Sequence, residues 1–184
     1  MNILCKGDYL KKSLKFRQAV GFIFTSVAGV LLHFLYDWTG QSIFIAPFSA
    51  VNESIWEHNK LLFFPMFIFA LIEYKFIGKS YDNFWCAKLA AVLTGLILIP
   101  ASYYTYTGMF GVNADWFNII IFFIAVAAAY FSENILLKNN INFCKSSLAA
   151  FVILCLISLM FIIMTFIQPE IPLFKDMTTG DYGI

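Results

Sequence analysis

Ala19-Val-Gly-Phe-Ile-Phe-Thr-Ser-Val-Ala-Gly-Val-Leu-Leu-His-Phe-Leu-Tyr36 is an apolar run of 18 residues that begins only after Lys11, Lys12, Lys15 and Arg17. As a helix it rises about 27 Å, close to the roughly 30 Å hydrocarbon core of a bilayer. It is longer than a signal-peptide core and ends in no small-residue cleavage site, so it reads as a retained first span. The rest of the chain agrees. Of its 184 residues 61% are hydrophobic and 12% charged, against about 25% charged in a soluble domain. Too little polar surface remains to dissolve such a chain, and bilayer must cover the remainder. Five windows are long enough to cross: about 18–37, 54–77, 85–107, 115–137 and 147–168. The second is the softest, because its uncharged part runs only from Leu61 to Ile72. Pro65 and Pro100 are expected to kink helices two and three, since each removes an amide donor. No internal repeat or linker interrupts the chain. The expected fold is therefore all-α: one polytopic transmembrane bundle over residues 1–184.

Orientation follows from the basic residues flanking the spans. With the N-terminus inside, Lys6, Lys11, Lys12, Lys15, Arg17, Lys75, Lys79, Lys88, Lys138 and Lys145 collect on the cytoplasmic face, and only Lys60 and Lys175 outside. Ten against two places the N-terminus inside and the C-terminus outside. Tyr36, Trp38, Trp56, Tyr103, Tyr104 and Trp116 then mark the outer interface. Tyr74, Tyr81, Trp85 and Tyr130 mark the inner one. Cys5, Cys86 and Cys144 fall on the reducing side and Cys155 within helix five, so no structural disulfide is expected. The cysteine spacing makes no metal motif.

Chemistry concentrates at the outer face. On helix one Gly21, Thr25, Gly29, His33 and Asp37 recur every four residues and form a slowly winding stripe. The small members suit close helix packing. An imidazole within a span is costly and faces the bundle interior or a wet cavity; Asp37, one turn farther out, is placed to accept its N–H. The second part is Asn52-Glu53-Ser54-Ile55-Trp56-Glu57-His58-Asn59-Lys60. Ser54 and Glu57 fit a capping box, with Glu57 suited to the helix dipole. A cap does not account for His58, nor for both histidines of the chain lying at the outer ends of spans. His33, His58 and Glu57 can ligate zinc or another divalent metal, with Glu57, Glu53 and Asp37 as candidate catalytic carboxylates beside metal-activated water. Two histidines can also clamp a haem iron, although such sites usually lie deeper. Between the two parts, 39–50 is too short to span and too apolar for a free loop. It reads as an interfacial or re-entrant lid over His33.

Three stretches resemble a family of small bacterial membrane proteins of unknown function: His33-Phe-Leu-Tyr-Asp-Trp-Thr-Gly40, Phe48-Ser-Ala-Val-Asn-Glu-Ser-Ile-Trp-Glu-His-Asn-Lys-Leu-Leu-Phe-Phe-Pro65, and Ile171-Pro-Leu-Phe-Lys-Asp-Met-Thr-Thr-Gly-Asp-Tyr-Gly183. The middle stretch is the most specific. The resemblance implies a multi-pass helical protein of the bacterial cytoplasmic membrane and brings no activity or catalytic residues. From the residues themselves three functions stay open. One is a metal-dependent membrane hydrolase acting on a lipid-linked or envelope substrate. The others are a small transporter or accessory subunit, and a non-catalytic scaffold whose polar cluster only caps helices. Besides the lipid bilayer, no nucleic-acid partner is expected, and oligomeric state is open.

Overall fold

The computed structural model describes residues 3–141, 144 and 146–184, with side chains from 14 onward. Lys145 and the side chains of Cys5, Lys6, Lys11 and Lys12 lie outside the described residues. Five α-helices follow one another: α1 (Ile3–Trp38), α2 (Ile55–Ile77), α3 (Phe84–Phe110), α4 (Asp115–Lys138) and α5 (Ser147–Phe166). Single 3-10 turns occupy Gly78–Ser80 and Pro172–Phe174, and no strand is present among the described residues. All five helices are long and apolar enough to cross a membrane.

The first four close into a ring: α1 packs on α2, α2 on α3, α3 on α4, and α4 back on α1. α5 lies outside this ring against α2 and α3. Its buried residues Ala150, Leu154, Phe161 and Thr165 fall on one stripe toward the ring, while Leu148, Val152, Leu156 and Ile163 face outward. Phe161 reaches inward to stack near Trp56 and Phe63.

Small residues on α1 set how closely the ring closes. A Cβ at Gly21 would stand 2.5 Å from the Tyr130 ring, and one at Gly29 would stand 2.6 Å from Phe122 and 2.7 Å from the Leu61 carbonyl. Only glycine lets α1, α2 and α4 approach this far. The prolines fit the same packing. Pro65 frees the carbonyl four residues back, which is Leu61, and Gly29 lies against it. Pro100 frees that of Leu96, and Asn59 Nδ2 donates to it across the helix pair at 3.4 Å. Both helices continue through their prolines.

Two lysines expected at the membrane faces are instead interior. Lys60 is fully buried, 2.5 Å from Glu57 Oε2, and donates to the Ala46 carbonyl at 2.9 Å and Thr165 Oγ1 at 3.0 Å. It thereby ties the 39–54 connection and α5 to α2. Lys88 is buried in the ring between Glu73 and Glu133. Both positions sit within apolar helical surroundings, where an ammonium survives only beside carboxylates.

The α4–α5 connection corrects a third expectation. Cys144, within it, lies against the first turn of α3 with its Cα 6.0 Å from that of Cys86, and the two sulfurs are bonded. That separation is within the ordinary disulfide range. Cys155 is a free, exposed thiol on α5.

Candidate functional site

The site is assembled where α1 ends and α2 begins. Ser54 caps α2 by accepting the Glu57 N–H at 3.3 Å. The expected reciprocal half of the box is absent: Asn52 Oδ1 takes the Ser54 N–H, and Glu57 reaches farther back to the Val51 N–H at 3.0 Å. Starting α2 at Ile55 leaves Glu53 in the linker and turns His58 toward α1. On α1 the Ser49 hydroxyl bridges a helical step beside His33, accepting the Tyr36 N–H at 3.0 Å and donating to the Leu32 carbonyl. A side chain inserted at this step of the ladder holds the segment that carries His33.

His33, Glu53 and His58 meet here. Glu53 lies between the two imidazoles, with Oε1 3.5 Å from His33 Nε2 and Oε2 3.5 Å from His58 Nε2. One ligand-capable atom from each residue lies within 4.8 Å of the other two, and the two rings are 5.3 Å apart. His58 Nδ1 is 2.8 Å from the Ser54 carbonyl. A carbonyl only accepts, so this nitrogen carries the proton. In the neutral ring Nε2 then turns a lone pair toward the Glu53 carboxylate. Two acceptors face one another, and a cation between them satisfies both. His33 Nδ1, on the other side of its ring from the Nε2 that faces Glu53, is buried without a partner. Hydrogen bonding to the His33 imidazole holds the Glu53 carboxyl below its ordinary range, against the effect of burial.

Two of the residues expected at this site lie elsewhere. Glu57 is turned away into the bundle, where Lys60 and the Val51 amide occupy it; it stands with neither histidine. The cause is helical register: residues 57 and 58 point about 100° apart. Asp37 is exposed, and the carboxylate beside His33 is Glu53. The roof also differs from expectation. The 39–50 connection packs on α1 through Ser49, on α2 through Phe48 and Phe64, and on Lys60 through Ala46. It leaves Ile43 and Phe44 exposed at its tip.

The C-terminal segment covers the histidines instead. Asp176 Oδ2 accepts the Glu53 N–H at 3.2 Å, while its Oδ1 accepts those of Thr178 and Thr179. Burial pushes the Asp176 carboxyl up, but the amides of Thr179, Thr178 and Glu53 outweigh it and hold the group below its ordinary value. Asn52 Nδ2 donates to the Gly183 carbonyl, and Phe174 stacks on Trp56 at 4.5 Å. Nothing in the local sequence marks Asp176 as a partner of a residue 123 positions earlier. Its only signal is an Asp followed by Thr-Thr-Gly, a turn composition.

Below the cluster a cavity of about 650 Å³ opens inside the ring between α1, α2, α3 and α4. Its apolar lining runs from the buried Ile55, Leu61, Ile99 and Ile121 to Val30, Phe34 and Ile119, which are exposed along α1 and α4. Its mouth is polar, from His33, Glu53, His58, Tyr103, Asn113, Asp115, Asn118 and Thr178. The volume is that of a small-molecule site.

A family model described as a family of unknown function (DUF6512) matches residues 9–184. The chain belongs to DUF6512. The match contains all three stretches on which the resemblance rests. No curated protein and no solved structure matches this DUF6512 chain.

Proposed function

We propose that this DUF6512 protein is a metal-dependent hydrolase of the bacterial cytoplasmic membrane, acting at the outer face on an amphiphilic, lipid-linked or envelope substrate. The observation that carries the reading is the His33–Glu53–His58 group at the mouth of an apolar-walled cavity. Bonds of 2.0–2.2 Å in a tetrahedral site place neighbouring ligand atoms roughly 3.3–3.6 Å apart. Each imidazole stands 3.5 Å from a different oxygen of Glu53, close to that edge, and one ligand atom from each of the three residues lies within 4.8 Å of the others. Two histidines and a glutamate are a ligand set that catalytic zinc uses, with the fourth position left to water or substrate. The Ser54 carbonyl fixes the His58 tautomer in the way second partners of metal-binding histidines do. A bound zinc would supply a Lewis acid and a more acidic water. With Glu57 committed to Lys60, Asp115 on the cavity wall is the carboxylate offered as general base. The apolar lining, continuous with the exposed Val30, Phe34 and Ile119 on α1 and α4, suits an acyl or prenyl chain and the polar mouth a headgroup.

The outer placement rests on the basic residues. Setting aside the buried Lys60 and Lys88 leaves nine against one, so the positive-inside argument keeps its sign. The test is metal content of the detergent-purified protein after zinc loading and gel filtration. About one equivalent is expected in the wild type and in Glu57→Gln, and none in His33→Ala, His58→Ala or Glu53→Ala. A wild type that retains no metal, or histidine variants that retain it, removes the proposal.

A further inference from the structure

The ring holds a second group of ionisable residues, some 15 residues down α2 from His58, or about 22 Å at 1.5 Å per residue. Each of the four ring helices contributes one side chain. Lys88 of α3 contacts Glu73 of α2 and lies 2.6 Å from Glu133 Oε1 of α4. Gln18 Nε2 of α1 donates to the same Glu133 oxygen at 2.9 Å. All four are buried, and both carboxylates and the ammonium almost completely.

Charge and hydrogen bonds both fail to balance. Two ionised carboxylates and one ammonium leave a net charge of −1 in an apolar interior, where an unpaired charge is costly. Two of the three Lys88 donors go to the carboxylates. The ammonium otherwise faces the rings of Phe84, Phe69 and Tyr130, at 5.3, 5.8 and 5.9 Å. Glu73 Oε1, Glu133 Oε2 and Gln18 Oε1 are buried acceptors without any donor. The arrangement is therefore short of one positive charge and of donors. The remaining groups nearby do not provide them. The Tyr130 hydroxyl is engaged with Thr25 Oγ1 at 2.9 Å. Arg17 lies over the Phe76 ring. Tyr81, in the α2–α3 connection, is within electrostatic reach of Glu73 but brings no charge.

We propose that Gln18, Glu73, Lys88 and Glu133 form a buried proton-binding site, in which the Glu73/Glu133 pair holds one proton at neutral pH. One added proton makes the group neutral and gives one of the three vacant acceptors its donor. The site lies about one helical turn from the end of the ring marked by Tyr81, from which the proton would exchange. This inference does not depend on the metal proposal.

Infrared spectroscopy of the purified protein at neutral pH reads it directly through the C=O stretch of a protonated carboxyl. The wild type should show such a band, and Glu73→Gln and Glu133→Gln should each lose it, because one glutamate then suffices to balance Lys88. Both single variants should keep a melting temperature near that of the wild type, while the double variant, which strands Lys88, should melt far lower. A wild type without the band, or a band surviving in both single variants, overturns the proposal. If either variant fails to fold, the wild-type band is followed with sodium replaced by choline. Persistence in both salts supports a proton, and a band that appears only when sodium is removed assigns the site to a metal cation instead.

Discussion

Lys60→Met removes the ammonium that joins α2, α5 and the 39–54 connection, and its cost can be worked from the contacts. The side chain is wholly buried and bound to Glu57, the Ala46 carbonyl and Thr165. Methionine fills similar volume, so little packing is lost. What remains is a buried Glu57 carboxylate with no counter-charge, and breaking such a pair costs about 3–5 kcal/mol. For a chain of this length each kcal/mol moves the midpoint by about 2–4 °C, so a drop of roughly 10 °C is expected in detergent thermal unfolding. Glu57→Gln should cost a similar amount, because it strands the ammonium instead. The double variant Glu57→Gln/Lys60→Met removes both charges. A glutamine oxygen can still accept the Val51 N–H, and Thr165 retains its bond to the Phe161 carbonyl. The main residual loss is the donor to Ala46, about 1–3 kcal/mol. The double variant should therefore be more stable than either single one. If Lys60→Met melts within about 2 °C of the wild type, or if the two single losses simply add in the double variant, the pair does not hold the connection as argued.

Asp176→Asn tests the roof and carries a sign in pH. The folded Asp176 carboxyl lies below its ordinary value, so the stability it contributes is fully present above the unfolded value, near pH 4, and is lost as pH falls through the folded one. The melting difference between wild type and Asp176→Asn should be constant from neutral pH to about pH 5 and shrink under stronger acid; a difference that widens on acidification contradicts the assignment. Cys86 and Cys144 report orientation. The structure bonds the two sulfurs; because a cytoplasmic compartment keeps thiols reduced, a cytoplasmic basic end predicts that alkylation in intact cells followed by mass spectrometry finds this bond open, and closed only after oxidation. A bond already present in cells would place that end in an oxidising compartment and reverse the topology.

The five helices were legible because hydrophobic length is a local property: each window carries its own signal regardless of what it packs against. Both histidines were legible for the related reason that a costly residue stands out in an apolar run. The carboxylates were not. Glu53 and Glu57 are both acidic, both near the start of α2, and either can be written beside a histidine on paper. Which one meets His33 is decided by where the helix begins, and a single residue changes the direction of a side chain by about 100°. Lys60 and Lys88 were assigned to the membrane faces by a rule that counts basic residues without seeing their partners. Lys60 did carry a local clue, with Glu57 three positions before it on the same helical face. The partners of Lys88 stand 15 and 45 positions away on other helices, beyond any local pattern.

Ionisable groups inside the ring need separate explanations, and charge balance separates them. Glu57 and Lys60 cancel, all three Lys60 donors have acceptors, and the pair fastens three segments of chain that apolar packing would leave free to slide. A structural role accounts for the charge of that pair, with Glu57 Oε1 left as its one buried acceptor without a donor. Neither of the other two clusters closes in this way. At His33, Glu53 and His58 a lone pair and a carboxylate face one another across 3.5 Å, which calls for a cation. At Glu73, Lys88 and Glu133 a second carboxylate exceeds what one ammonium can neutralise. A bundle selected only for stability would replace such groups with apolar residues of similar volume, at little cost or with a gain. A shortfall of one positive charge at each of two sites in the same four-helix ring is what a protein that binds cations there requires.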